Sequence, residues 1–281
     1  MTSTLLYTVL ILSLLGGVLA VVLYFIAQNF KVQEDPRIDQ VLEVLPGANC
    51  GGCGFAGCRV FVETFINNPN RTDLFCPVGG NQAMQLAAKV LGREAREQVP
   101  KVAVVRCNGS CEVRPKINEY DGSPSCAVVA DLYAGERACS YGCLGLGDCV
   151  QACMFDALVI DPVTCLPVVD EEKCTSCGAC VTACPKNLME LRPKGPKNRR
   201  IYVACSNKDR GALARKACPV GCIGCGLCVK ACPFDAITLT DNLAYIDPDK
   251  CRLCRKCVAV CPTQCILEIN FPPKKQDTAH E

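Results

Sequence analysis

The sequence predicts an α+β chain: one apolar N-terminal helix, a small helical four-cysteine domain, and two compact modules built on repeated cysteine runs. Three observations predict it. Residues Leu5 to Ala27 are almost wholly apolar, a glycine-rich set of four cysteines follows, and the pattern C-x2-C-x2-C-x3-C-P then occurs three times. Cysteine supplies 27 of 281 residues. Such a density usually marks a small secreted disulfide scaffold, but this chain is too long for one, and two or more domains are expected. The formal charge of +2 creates no field that would call for nucleic acid. Tryptophan is absent and the one histidine is His280, beside the last residue. Histidine-dependent triads, histidine-ligated haem, HExxH sites and mixed cysteine–histidine zinc fingers are therefore excluded. The chemistry must rest on cysteine.

Residues 1–30 read as a transmembrane anchor. No charge precedes Lys31, and the apolar stretch, with Thr8, Ser13 and two glycines as its mildest breaks, would span about 34 Å as a helix. A cleaved signal is the alternative, but it would open on positive charge and use a shorter apolar run. Lys31 and Arg37 follow the span, so the large C-terminal part is expected in the cytoplasm, on a cell (inner) membrane crossed once. Thiols there are mostly kept reduced, which favours metal binding over disulfides.

Residues 31–95 contain Asn49-Cys50-Gly-Gly-Cys53-Gly-Phe-Ala-Gly-Cys58 and then Cys76-Pro77. The glycines Gly51, Gly52, Gly54 and Gly57 suit a loop whose amides donate to cluster sulfurs. Ile38, Val41, Leu42 and Leu45 recur at helical spacing before it, and Val60 to Ile66 look helical after it. A small helical domain holding one [4Fe-4S] cluster is expected, with structural zinc as the alternative. Residues 96–134 form a connecting segment, strand-like from Val102 to Val105, with the extra cysteines Cys107, Cys111 and Cys126.

The regular runs are Cys174, Cys177, Cys180, Cys184; Cys222, Cys225, Cys228, Cys232; and Cys251, Cys254, Cys257, Cys261. Three close thiolates on a tight loop hold one cluster, while the fourth, before proline, serves its neighbour. Zinc ribbons use two separated C-x2-C knuckles instead. A looser run, Cys139, Cys143, Cys149 and Cys153, has Met154 where the others have proline. Its sequel Cys153-Met-Phe-Asp-Ala-Leu parallels Cys232-Pro-Phe-Asp-Ala-Ile, which marks it as a repeat. Two double-cluster modules of the bacterial-ferredoxin type are thus expected at 135–192 and 216–270, each closed by a short strand (Leu158 to Ile160, Ile237 to Leu239). The crossed rule groups Cys139, Cys143 and Cys149 with Cys184, and Cys174, Cys177 and Cys180 with Cys153. It also groups Cys222, Cys225 and Cys228 with Cys261, and Cys251, Cys254 and Cys257 with Cys232. Five [4Fe-4S] clusters result. Cys107, Cys111, Cys126, Cys165, Cys205, Cys218 and Cys265 are left over, to be packed as small hydrophobes or to form a partial site. Residues 193–215 read as a basic linker, solvated like the Arg192–Arg200 stretch that opens it, and 271–281 as a polar tail.

The order of parts resembles the B subunit of the Rnf complex, the ion-translocating ferredoxin:NAD+ oxidoreductase, in its longer form with two ferredoxin modules. The likeness rests on the N-terminal span, the Asn49 to Cys58 loop, the string Ala138-Cys-Ser-Tyr-Gly-Cys-Leu-Gly-Leu-Gly-Asp-Cys149, Gly221-Cys-Ile-Gly-Cys225 and Ala231-Cys-Pro-Phe-Asp-Ala-Ile237. It implies electron uptake from soluble ferredoxin and transfer to membrane partners carrying flavin and iron–sulfur cofactors, coupled to Na+ or H+ movement. No GxGxxG follows a strand and no P-loop occurs, so nucleotide binding and catalytic acids or bases are not expected on this chain. A polyferredoxin carrier of a hydrogenase, formate or carbon monoxide dehydrogenase would share the runs, without needing the span and the glycine-rich domain.

Overall fold

The computed structural model describes residues 2–29 and 35–272. Lys31, the 273–281 part of the polar tail and His280 lie outside the described residues. Helix α1 (Thr2–Asn29) carries the apolar stretch, and Leu6–Gln28 within it is long and apolar enough to cross a membrane. Its described side chains are exposed.

The next domain is three short helices around an apolar core. Asp35 caps α2 (Pro36–Val44) by accepting from the Arg37 amide at 2.9 Å, and Pro36 presets the first turn. Ile38, Val41 and Leu45 face Phe61, Val62 and Phe65 of α3 (Cys58–Asn67) and Ala83, Met84 and Ala87 of α4 (Gly80–Val90). Each such large apolar side chain contributes roughly 1.5–3 kcal/mol by burial, so this domain has a conventional core.

The rest is built from strand pairs. Strand β1 (Lys101–Val105) precedes α5 (Cys126–Leu132), α6 (Asp148–Gln151), β2 (Leu158–Ile160), β3 (Pro167–Val169), α7 (Ala179–Ala183) and β4 (Met189–Pro193). Then come β5 (Arg200–Val203), α8 (Gly211–Ala217), α9 (Leu227–Ala231), β6 (Ile237–Thr240), β7 (Leu243–Ile246), α10 (Lys256–Ala259) and β8 (Ile266–Ile269). The pairs β1–β4, β2–β3, β5–β8 and β6–β7 are all antiparallel. The expected closing strands are β2 and β6. Two strands come from outside the expected module bounds: β1 belongs to the connecting segment, and β5 to the basic linker. Each pairs with the last strand of a module.

Those pairings bury the ends of the linker, which sequence alone reads as solvated. Arg192 is 2% exposed and Arg200 7%. The register sets Arg192 opposite Val102, and its guanidinium stands 5.1 Å from the Tyr245 ring centre and 5.8 Å from that of Tyr202. Glu190 pairs with Arg192 at 3.2 Å and with Arg106 at 3.5 Å, and accepts from the Tyr245 hydroxyl at 2.9 Å. Arg200 pairs with Glu171, whose carboxyl its guanidinium holds below the usual range. Val104 packs with Tyr202 and Ala204 beside this network. The two modules are thus joined by a built interface.

Candidate metal centres

The local geometry repeats at four places. Gly147, Gly178, Gly226 and Arg255 all have left-handed backbone and start α6, α7, α9 and α10. In each case the cysteine two residues later (Cys149, Cys180, Cys228, Cys257) is buried. Glycine takes that conformation without a steric penalty. The irregular run therefore shares the turn of the regular ones despite its stretched spacing and the exposed Met154.

Cysteines gather in fours. Cys153, Cys174, Cys177 and Cys180 line one pocket, walled by Leu158 and Leu191. Cys232, Cys251, Cys254 and Cys257 line another, beside Ile237 and Ile246. Cys222, Cys225, Cys228 and Cys261 line a third, which also admits Cys265. Its sulfur lies 3.6 Å from that of Cys261.

The remaining pocket of the first module holds Cys126, Cys143, Cys149 and Cys184. The crossed rule expects Cys139 in this set; the structure puts Cys126 there and turns Cys139 toward Asn207. The cause is Asp148. Its carboxylate accepts from the amides of Cys126 (2.8 Å) and Ala127 (3.0 Å) and from the Ser125 hydroxyl (3.0 Å). That clamp caps α5 from a distance and sets its first residue beside Cys149. Burial raises Asp148, but these donors together hold it below the ordinary carboxylate range.

The glycine-rich domain brings Cys53, Cys58 and Cys76 together, with Cys50 in the same loop. Asn49 accepts the Cys58 amide at 2.8 Å, and the Gly79 amide donates to the Cys76 sulfur at 3.4 Å. Burial pushes Cys76 upward, partly opposed by the Gly79 amide, with Cys53 and Cys58 adding to the rise. The loop rests on the first module. A Cβ at Gly52 would stand 2.8 Å from the Cys177 carbonyl oxygen and 3.0 Å from its Cα. Gly52→Val should therefore part the two surfaces, at a cost of about 1–3 kcal/mol. Faster amide exchange at both 49–57 and 174–178 is the expected reading, and unchanged protection would show that the contact gives way without strain.

The donor set suits an iron–sulfur cluster. Burial first, then Cys107 and Cys149, push Cys143 up to about 12 against the opposing Gly145 amide. Cys180 goes to about 12 by burial, then Cys174 and Cys177. Cys257 goes to about 12 by burial, then Cys251 and Cys254. Thiolates so close repel unless a cationic centre sits among them, and metal coordination is what deprotonates such thiols. Among the described residues no three His, Cys, Asp or Glu side chains stand close enough for a single ion. Wider four-thiol pockets match a multi-atom centre.

Comparison with known proteins agrees with this chemistry. Residues 221–265 match the family described as a 4Fe-4S dicluster domain, 167–190 a 4Fe-4S binding domain, and 45–73 a putative Fe-S cluster domain. The chain is 47% identical over 266 residues to the B subunit of the Na(+)-translocating ferredoxin:NAD(+) oxidoreductase complex of Acetobacterium woodii. The match covers 95% of this chain and 78% of that protein. The chain belongs to the B-subunit family of ion-translocating oxidoreductase complexes. The B subunit from Methanosarcina acetivorans is 40% identical over 95% of this chain and 99% of its own length. The Clostridium ljungdahlii relative, named for a proton-translocating complex, is 40% identical over 95% of this chain and 93% of its own. Members of one family thus bear names with different coupling ions. Like them, this chain is one part of a larger complex, and α1 fits a membrane anchor within it.

Proposed function

We propose that this chain takes electrons from soluble reduced ferredoxin and passes them to membrane partners of a complex that reduces NAD+ and moves Na+ or H+. One observation carries the reading. Four-thiol pockets of the second module, two of whose cysteines are exposed, adjoin those of the first across the Glu190–Tyr245 contact, and the first module meets the glycine-rich cysteine loop where Gly52 packs on Cys177. Cys225 and Cys254 are exposed, unlike the other cluster-pocket cysteines. Lys250, Arg252 and Lys256 surround Cys254 at the surface. Cations there would steer an acidic carrier protein toward this end.

Bound [4Fe-4S] clusters accept and release single electrons. The chain's own residues hold and tune them. Cys50, Cys53, Cys58 and Cys76 form the membrane-side set, and Cys126, Cys143, Cys149 and Cys184 a set in the first module. Cys153, Cys174, Cys177 and Cys180 complete that module. Cys222, Cys225, Cys228 and Cys261, and Cys232, Cys251, Cys254 and Cys257, serve the second. Amides aimed at sulfur, such as that of Gly79, favour the reduced state, and burial opposes added charge. With Arg37 following the span, the body faces the cytoplasm.

Full-length protein purified anaerobically should contain at least about 20 iron atoms with matching sulfide, four for each of these sets. Reduced ferredoxin should bring out low-temperature EPR signals from it. Zinc without iron would sink the proposal. Iron-loaded protein that ferredoxin fails to reduce would sink the partner assignment alone.

A further inference from the structure

Three of the seven leftover cysteines, together with the displaced Cys139, meet at one buried place. Asn207, 1% exposed, joins two: its amide donates to the Cys205 sulfur at 3.4 Å and its side-chain nitrogen to the Cys139 sulfur at 3.6 Å. Gly221 joins Cys205 to Cys218, since a Cβ there would stand 3.7 Å from the Cys205 sulfur and 3.6 Å from the Cys218 Cβ. Gly109 joins Cys218 to Cys107. Its Cβ position is 3.0 Å from the Cys218 sulfur, and its carbonyl lies 4.0 Å from the Cys107 sulfur. Cys107 and Cys139 also lie near enough to act on one another and on Cys218, so the 107–109, 139, 205–207 and 218–221 stretches meet at this place. Cys139, Cys205 and Cys218 are buried, and Cys107 half-buried.

A second observation points to an anion among them. Arg114 is 3% exposed, and its Nε has no hydrogen-bond partner. Its guanidinium donates to the Cys143 carbonyl at 2.8 Å, and its Cδ lies 2.8 Å from the Cβ position of Gly109. Gly142 likewise leaves room for its terminal nitrogen, which a Cβ would displace. A buried guanidinium beside neutral thiols would be strongly unfavourable. Beside a thiolate-ligated cluster it is neutralised.

We infer that Cys107, Cys139, Cys205 and Cys218 bind a further [4Fe-4S] cluster, with Arg114 as its buried counter-charge, at the junction between the two modules. This goes beyond the function proposed above but rests on it, since the same chemistry is being extended. Position gives the site its use. Gly221, whose Cβ position is 3.7 Å from the Cys205 sulfur, directly precedes Cys222, the first ligand of one set of the second module, while Arg114 donates to the carbonyl of Cys143 in the first module at 2.8 Å. The site adds a stop between the two double-cluster modules, within the series of thiol sets already described.

The test uses full-length, detergent-solubilised, anaerobically prepared protein. Wild type should hold about 24 irons, and the Cys205→Ser/Cys218→Ser double variant about 20, four fewer. One set of EPR or Mössbauer lines should disappear and the others persist. A Cys111→Ser/Cys165→Ser control, at two thiols that pair with each other outside the four-thiol pockets, should keep the wild-type content. About 20 irons in wild type, with or without one zinc, overturns this inference and leaves the five-set reading standing. So does a double variant with unchanged iron, whereas protein without iron overturns both. Should the double variant fail to fold, Arg114→Gln decides. One centre should titrate at a more negative potential with iron retained, because loss of a nearby cation disfavours added electrons. Unshifted potentials would overturn the site.

Discussion

Replacing Glu190 with alanine is expected to destabilise the joined modules by about 3–5 kcal/mol. The carboxylate is the partner of Arg192, which is 2% exposed, and of Arg106, and it accepts from Tyr245. Its loss leaves a guanidinium buried between two tyrosine rings with no counter-charge. Urea unfolding of the cluster-loaded protein, followed by visible absorbance, should show a lower midpoint at unchanged slope. Glu190→Gln keeps an acceptor for Tyr245 and should cost less. Equal destabilisation by the two variants would mean that the tyrosine contact contributes nothing and the charge alone matters, whereas a Glu190→Gln as stable as wild type would overturn the role of the charge.

Cys126→Ala should have the second large effect, removal of one four-iron centre of the first module. The signature should coincide with that of Cys143→Ala, because both residues line the same pocket. Cys139→Ala should remove a spectroscopically different centre. Asp148→Ala provides a cross-check. It releases the start of α5 without removing a sulfur, and should weaken the same centre as Cys126→Ala. A silent Cys126→Ala, with Cys139→Ala and Cys143→Ala alike, would return Cys139 to this set.

The parts of the chain legible in its sequence are those whose partners are near in sequence. The three regular runs carry their own turn, so spacing alone places nine cysteines around three pockets. The fourth cysteine of each run follows from the crossed pattern. Cys126 is not legible in this way. It sits 17 residues before Cys143, and only Asp148, reaching across from another turn, brings it in. The one local hint is Ser125 before an apolar stretch, a helix-start signal that makes Cys126 a first-turn residue rather than a packed thiol. Arg192 and Arg200 mislead for a related reason. A run of cations between prolines reads as solvated, yet strand pairing with Val102 and Ile269 is long-range and leaves no local trace. Cys111 and Cys165, read as spare thiols, are joined as a disulfide across 54 residues. Connectivity of that kind is not encoded in spacing.

The cores of the two modules differ from that of the helical domain in composition. In the second module five of the twelve buried core residues are cysteines, among them Cys222, Cys228 and Cys257. In the first, two of five are, Cys149 and Cys180. The helical domain instead packs phenylalanine, valine and alanine. On the ligand assignment proposed above, a core that contains Cys222, Cys228 and Cys257 is incomplete until those thiols are bonded, so cofactor insertion and folding become one event for the modules. Biogenesis must then deliver iron and sulfide to a chain that is still partly open. Oxidative loss of the inorganic core would expose hydrophobic strand edges and mark the body for proteolysis, while the membrane-proximal domain kept its shape.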